Sequence, residues 1–148
     1  MSKSGRVLRF GAMVWVMLAA LPGMVTKGYA QKNTRKPPVI TLGRILPPEV
    51  KNGKLIPTLT SRQEIQKNAL LLADAVNCRV IAYKFTMIAP SIPFYGPVYV
   101  TGGELTDSLK RQIKLVNGPN VKVYIEDIKI NYRGDTMDAN PVVLMYDN

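Results

Sequence analysis

The chain has 148 residues, and its 20 Lys and Arg against 10 Asp and Glu give a formal net charge of +10. It contains no histidine and a single cysteine. These counts exclude a Ser-His-Asp triad, a Cys-His catalytic pair and a histidine-based zinc site, because each of them needs an imidazole. The commonest exported hydrolases are therefore excluded.

Residues 1–30 have the order and length of a cleavable signal peptide. Basic residues precede an apolar run over residues 10–21, Pro22 and Gly23 interrupt the run, and small residues lead to Ala30. The alternative is an uncleaved membrane anchor, but a helix over this run would span only about 18 Å, against about 30 Å of hydrocarbon. We therefore predict export, cleavage after Ala30 and no transmembrane segment in the mature protein.

Removal of this leader changes the charge of the chain. Four basic residues leave with it, so 16 basic and 10 acidic residues remain and the net charge falls to +6. The remaining positive charges are spread along the chain, apart from Lys32, Arg35 and Lys36 near the new N-terminus. A solvated surface is the simplest interpretation, and a weak preference for an acidic partner or an anionic membrane is the alternative. Because exported proteins rarely meet nucleic acid, we predict no nucleic-acid partner.

The remaining 118 residues are enough for one domain that buries about two-thirds of its unfolded surface. Residues 31–38 are polar and basic and end in two prolines, so they predict a flexible lead; residues 39–148 predict the folded domain. Cys78 has no partner for an internal disulfide. It is either a small buried residue at the start of a strand, which we favour, or the site of an intermolecular bridge.

The first half of the domain contains one predicted strand and several turn signals. Residues 39–42 predict a strand that Gly43 closes, and the Pro47-Pro48 and Asn52-Gly53 pairs mark a loop and a turn.

Residues 61–64 follow with the Ser-x-x-Glu spacing of a capping box. Ile65, Ala69 and Leu72 recur behind it at helical intervals, which predicts a short helix. Residues 70–72 are all leucine and could equally enter a strand.

From Cys78 onward the pattern becomes that of β-strands. Ile81, Tyr83, Phe85 and Met87 alternate with smaller or polar residues, which predicts a strand with one apolar face. Two prolines in residues 89–93 predict a loop, because each removes a backbone donor. A short strand over residues 98–100 follows and ends at Gly102-Gly103.

A second helix is predicted after these glycines. Thr106 can cap it, Leu105, Leu109 and Ile113 lie four residues apart, and the Asn-Gly-Pro sequence at residues 117–119 ends it.

The next strand contains a break in its alternation. Apolar residues occupy the odd positions from Val121 to Ile125 and the even positions Ile128 and Ile130, so one extra residue lies at Glu126-Asp127. A β-bulge there would keep the apolar face continuous. The chain turns at residues 133–135, and the apolar run over residues 142–146 is typical of a central strand. We therefore predict a mainly β fold, a sandwich-like antiparallel single domain with one or two short helices.

Two close acidic pairs are the candidates for two-carboxylate chemistry, Glu104 with Asp107 and Glu126 with Asp127. The simplest interpretations are favourable charge at a helix N-terminus for the first pair and a solvated bulge for the second. A Ser-Lys arrangement, with Ser108 near Lys110 or Lys114, has no supporting motif, and no acidic loop suggests a calcium site. We predict no catalytic residue, no cofactor-binding residue and no metal ligand.

Five tyrosines are candidates for a binding surface, since amphipathic rings suit interfaces. They are Tyr95, Tyr99, Tyr124, Tyr132 and Tyr146. Tyrosines at strand positions more often cover a half-buried sheet face, and we favour that interpretation. Tyr124 and Tyr132 are predicted to lie opposite the apolar face of their strands and would be the first to probe.

Several segments resemble the C-terminal domain of the GldM (PorM) family of gliding-motility and type IX secretion proteins. The resemblance is clearest over residues 80–146 and weaker over residues 38–77. The segments that carry it are Phe85 with its alternating neighbours, Gly103-Glu104-Leu105-Thr106, Ile113-Lys114-Leu115, Gly118 with residues 121–128, Gly134, and Asn140-Pro141-Val142-Val143-Leu144.

The resemblance implies a non-enzymatic function. Members of this family are periplasmic parts of the secretion and gliding machinery, and their last domain contacts a ring of partner proteins at the outer membrane. The chain has a signal peptide where the family has its motor-coupling membrane helix, so we expect no energy transduction. We expect an exported interaction module that docks to a protein partner in the gram-negative cell envelope, in the periplasm or outside the cell. The alternative is a stand-alone secreted binding or inhibitor domain unrelated to that machinery. The oligomeric state is not predicted.

Overall fold

The computed structural model describes residues 36–147. The predicted signal peptide and most of the predicted lead lie outside the described residues. The described residues form ten strands and two helices: β1 (Ile40–Leu42), β2 (Glu49–Lys51), β3 (Lys54–Ile56), β4 (Thr58–Thr60), α1 (Arg62–Lys67), β5 (Leu71–Ala73), β6 (Cys78–Ala89), β7 (Ile92–Thr101), α2 (Asp107–Leu115), β8 (Val121–Tyr132), β9 (Asp135–Asp138) and β10 (Val142–Tyr146).

Six of the strands form one sheet in the order β4-β10-β8-β6-β7, with β9 paired to β8. All its pairings are antiparallel except that of β4 with β10. Two smaller antiparallel sheets consist of β1 with β5 and β2 with β3. The prediction of a mainly β, mostly antiparallel fold with two short helices is confirmed.

One face of the large sheet carries the core. Side chains of β6, β8 and β10 form a single buried cluster with residues from β1, β5 and both helices. Two tyrosine hydroxyls join the layers: Tyr83 donates to the Glu104 carbonyl at 2.8 Å, and Tyr146 donates to the Ile113 carbonyl at 3.2 Å. The second layer therefore consists of the β1-β5 pair and the two helices. Neither helix of residues 36–147 is long and apolar enough to cross a membrane.

Stability should fall at alkaline pH because of these two tyrosines. Burial raises the pKa of both Tyr83 and Tyr146, whereas tyrosines of the unfolded chain ionise near pH 10. The stabilisation is therefore fully present below about pH 10 and is lost as the pH rises through the folded-state values. Urea denaturation at a series of pH values would measure the slope. We expect the Tyr83→Phe/Tyr146→Phe variant to have a shallower slope above pH ~10, and an unchanged slope would contradict this assignment.

The first helix confirms the Ser61 half of the capping box and corrects the length of the helix. The Glu64 carboxylate accepts the Asn68 side-chain amide at 3.0 Å. Ser61 is the N-cap, and its hydroxyl accepts the Glu64 N–H at 3.1 Å. The helix ends at Lys67, however, so the predicted continuation to Ala69 and Leu72 is wrong. Asn68 explains the end: its amide donates to the Glu64 carbonyl at 2.9 Å, and its side-chain oxygen accepts the Arg44 N–H at 3.0 Å. Residues 71–73 then enter β5, the other alternative for the leucine run.

The second helix agrees with its prediction. Thr106 is the N-cap and accepts the Leu109 N–H at 3.3 Å. Leu105, Leu109 and Ile113 are fully buried against the sheet cluster. The four-residue spacing thus identified the packed side of this helix.

The predicted bulge is present in β8. Between the Lys84–Glu126 and Ala82–Lys129 pairs, β8 contains one residue more than β6, and Asp127 adopts a φ of 50°. The inward positions on both sides of it are fully buried, namely Val121, Val123, Ile125, Ile128 and Ile130. The extra residue is what keeps the apolar face continuous.

A second irregularity, in β6, corrects the predicted inward face of that strand. The register with β8 shifts between Val80 and Ala82. As a result Val80 is buried and Ile81 is only half-buried, so the prediction of Ile81 on the inward face is wrong.

The predicted loop over residues 89–93 is too long. Only Pro90 and Ser91 form the turn, and β7 begins at Ile92. Since β7 is an edge strand of the large sheet, prolines can lie in it without removing a needed ladder bond.

The C-terminal strands show one agreement and one omission. The run over residues 142–146 is an interior strand between β4 and β8, as predicted. The turn at Arg133-Gly134 leads first into β9, which the sequence analysis did not predict. This strand is mostly exposed and has no apolar alternation, so it carries no period-two signal.

Candidate functional site

Both carboxylates of the first acidic pair lie within ion-pair distance of one lysine. The Lys110 ammonium lies 2.8 Å from Glu104 and 3.7 Å from Asp107 at the start of α2. Its hydrogen bond to Glu104 is the main reason that the pKa of Lys110 is raised. A lysine held protonated in this way is a poor general base for Ser108, so the arrangement favours the interpretation as helix N-terminal charge.

Both carboxylates of the second acidic pair also lie within ion-pair distance of one lysine. The Lys84 ammonium lies 2.7 Å from Asp127 and 3.5 Å from Glu126, because the bulge lets both carboxylates approach one lysine. The hydrogen bond to Asp127 is the main cause of the raised pKa of Lys84. Among residues 36–147, no three or more Cys, Asp or Glu side chains are grouped so that they could hold a metal ion.

The two tyrosines predicted as probes lie on opposite sides of the sheet. Tyr124 is half-buried and lies opposite the core, as predicted. Tyr132 packs against the core, so its predicted placement is wrong. The bulge is the reason, since it brings the even positions after Asp127 inward. Tyr99 is the most exposed of the five candidate tyrosines, with 77% of its surface accessible.

Cys78 is the first residue of β6, as the strand-start interpretation requires. It is half-buried and free within the described part of the chain. Burial raises the pKa of its thiol.

An apolar groove lies beside β4 and is lined by residues 46–49 and 56–59. Its volume is about 530 Å³. Leu46 is 72% exposed and Leu59 is 71% exposed, and Pro47 and Pro57 also line the groove. Exposed leucines of this size are unremarkable singly, but here they surround one concave surface.

One wall of the groove is the hairpin of β2 and β3. Asn52 and Gly53 form its two-residue turn, with φ values of 51° and 73° that suit a type I′ turn. The Thr58 hydroxyl donates to the Leu46 carbonyl at 3.1 Å and so links the chain before the hairpin to the chain after it. All six strand residues of the hairpin are exposed. A two-stranded hairpin is only marginally stable by itself, so this one would gain from a covering partner.

The surface continues from the groove onto the outer face of the large sheet, which is the face opposite the core. Strand pairing places four residues in one line across β4, β10, β8 and β6. We call these residues the Lys122 row: Leu59, Met145, Lys122 and Ile88. Leu59 belongs to both features and makes the groove and the row one continuous surface.

Sequence reasoning did not identify this surface. The Asn52-Gly53 pair was correctly assigned to a turn, but a hairpin signal needs flanking strands, and β2 and β3 are only three residues long. Leu59 and Lys122 become neighbours only through the order of the strands.

No protein-family model matches the chain, and no curated protein matches it. The resemblance to the GldM C-terminal domain therefore stays a prediction carried by the segments named above.

Proposed function

We propose that the chain is a non-enzymatic, exported interaction module that binds a protein partner in the cell envelope through the groove beside β4. The observation that carries this proposal is the apolar groove of about 530 Å³ with Leu46 and Leu59 exposed on it. Contiguous exposed apolar surface of this kind is typical of protein-binding sites. Ile56, at the end of β3 and 42% exposed, belongs to the same lining.

The resemblance to the GldM family supports a particular partner. The last domain of that family contacts a ring of proteins at the outer membrane, so we propose components of the gliding and type IX secretion machinery. A stand-alone secreted binding or inhibitor domain is the second candidate, and the same exposed groove favours it, because the groove indicates binding without naming the partner. An enzymatic function has less support, since the two acidic pairs are engaged by Lys84 and Lys110.

A pull-down from envelope extracts tests the proposal. We expect the Leu46→Asp/Leu59→Asp variant to recover at least about tenfold less partner than the wild type, since burying each leucine contributes about 1.5–3 kcal/mol. The matched control is Val76→Asp/Leu115→Asp, which introduces the same two negative charges at exposed apolar residues, 84% and 63% accessible, outside the groove. It should keep wild-type recovery.

The outcomes separate the two candidates. Recovery of outer-membrane ring components that depends on the groove supports the machinery; groove-dependent recovery of a different protein supports the stand-alone domain. Equal recovery by the groove variant, with its fold intact by circular dichroism, would remove the groove as the binding site.

A further inference from the structure

The Lys122 row combines one positive charge with three apolar side chains. Lys122 pairs directly with Met145 on one side and Ile88 on the other, and Leu59 continues the line beyond Met145. Directly opposed side chains on neighbouring strands are in contact range. The lysine therefore lies between apolar neighbours on both sides of its strand.

Lys122 differs from the other lysines of the outer face. Lys84 is bound by Glu126 and Asp127, and Lys129 is bound by Asp138. No carboxylate of residues 36–147 lies within 4 Å of the Lys122 ammonium. Asp147, two residues after its cross-strand neighbour Met145, accepts the Asn120 N–H at 2.5 Å instead. The half-buried Lys122 thus lies on an otherwise apolar line with no carboxylate partner among residues 36–147.

We propose that the partner surface covering the Lys122 row is an extended protein segment with an acidic residue between apolar residues. This inference rests on the proposed function and names the chemistry of its partner. The carboxylate would bind Lys122, and the flanking side chains would cover Ile88 on one side and Met145 with Leu59 on the other. An apolar partner without a carboxylate would leave the ammonium buried and unpaired, which opposes binding.

The dimensions of the row fit a short segment. Neighbouring strands are about 4.8 Å apart, so a line across four strands is about 14 Å long. An extended chain covers that distance with about four to five residues. The groove lies next to Leu59, at the end of the row, so one continuous segment can occupy both.

Charge placement favours a protein segment over an anionic membrane. The same face carries Glu126, Asp127 and Asp138, and these carboxylates already neutralise Lys84 and Lys129. A membrane surface is attracted by several clustered cations, whereas a single uncompensated lysine suits one carboxylate.

Selection from a phage-displayed random heptapeptide library tests the inference without knowledge of the partner. We expect the wild type to enrich peptides with Asp or Glu flanked by apolar residues. The Lys122→Glu variant should instead enrich Lys or Arg at that position. Lys114→Glu is the matched control, because it makes the same change of charge at an exposed position on α2; it should keep the wild-type consensus.

The affinity of the synthesised consensus peptide provides a second measurement. We expect Lys122→Glu to weaken binding at least a hundredfold, because it opposes like charges. Lys122→Met keeps the apolar stem, so it should weaken binding about tenfold at roughly 50 mM salt and remove most of the salt dependence that the wild type shows up to roughly 300 mM.

Several outcomes would overturn the inference. One is that peptides selected with the Lys122→Glu variant keep the acidic consensus. Another is that peptides selected with the wild type show no preference for Asp or Glu. A third is that the wild type binds phosphatidylglycerol vesicles and that Lys122→Glu abolishes this binding. Concentration-dependent self-association that Lys122→Glu abolishes would assign the row to a second copy and would overturn it too. Failure of the proposed function is distinguishable: the envelope partner would then be retained by the Leu46→Asp/Leu59→Asp variant.

Discussion

Replacement of Phe85 by alanine should lower the free energy of unfolding by about 3–5 kcal/mol. Phe85 is completely buried in β6, which lies between β7 and β8 in the large sheet. Its ring contacts that of Tyr95 edge to face, with the centroids 6.4 Å apart and the planes at 75°. Truncation removes this contact and leaves a cavity that the surrounding strands can fill only in part. Since domains are stable by about 5–15 kcal/mol, much of the stability would be lost.

The matched control for this substitution is Phe94→Ala. Phe94 lies in the adjacent strand β7 and is 55% exposed, so its removal should change the stability by no more than about 0.5 kcal/mol. Urea denaturation followed by circular dichroism measures both variants. Similar losses of stability for the two phenylalanines would contradict the placement of Phe85 on the core face of the large sheet.

Replacement of Gly96 by alanine should lower the free energy of unfolding by about 2–5 kcal/mol. Gly96 has a φ of 109°, which L side chains rarely adopt, and an added Cβ would lie 2.6 Å from the Phe85 carbonyl oxygen. The obstacle is backbone of the neighbouring strand, which cannot move aside as a flexible side chain could. The position lies where the register of β6 and β7 shifts, between the pairs Phe85–Val98 and Met87–Tyr95.

Gly102→Ala isolates the steric part of this effect. Gly102 follows the same strand with a φ of 91°, but nothing lies within 4 Å of an added Cβ. Its substitution should therefore cost only the backbone strain, about 1–2 kcal/mol. Thermal and urea denaturation of the two variants provide the comparison. If Gly102→Ala were as destabilising as Gly96→Ala, the close approach to Phe85 would contribute nothing.

Elements whose signal is contained within one segment were predicted well. The α2 spacing, the Ser61 cap and the extra residue at Glu126-Asp127 were all found in the structure. For α2 and the bulge, a single apolar face has to be buried, and the period of that face can be counted along the chain. The Ser61 cap is a hydrogen bond to a residue only three positions away. The continuous apolar run over residues 142–146 was also recognised within one segment, since β10 is an interior strand of the large sheet and four of its five residues are buried.

Features that depend on a partner strand were predicted less well. The inward residue at the start of β6 is Val80 because of a register shift against β8, which the β6 sequence does not reveal. Tyr132 was placed on the wrong side, although the bulge that moves it was itself predicted. The α1 helix ends early because the Arg44 backbone binds Asn68 from 24 residues away.

The sequence by itself determined the mainly β class, the helix caps, the bulge and the absence of histidine chemistry, because these follow from composition and from periodicity within single segments. The candidate surface was decided by the tertiary structure alone. Leu59, Met145, Lys122 and Ile88 come from four different strands, and only the order β4-β10-β8-β6 brings them into one row. Whether a lysine has a counterion likewise depends on which carboxylates the register places beside it. That is why Lys84 and Lys129 are paired, while no carboxylate of the described residues reaches Lys122.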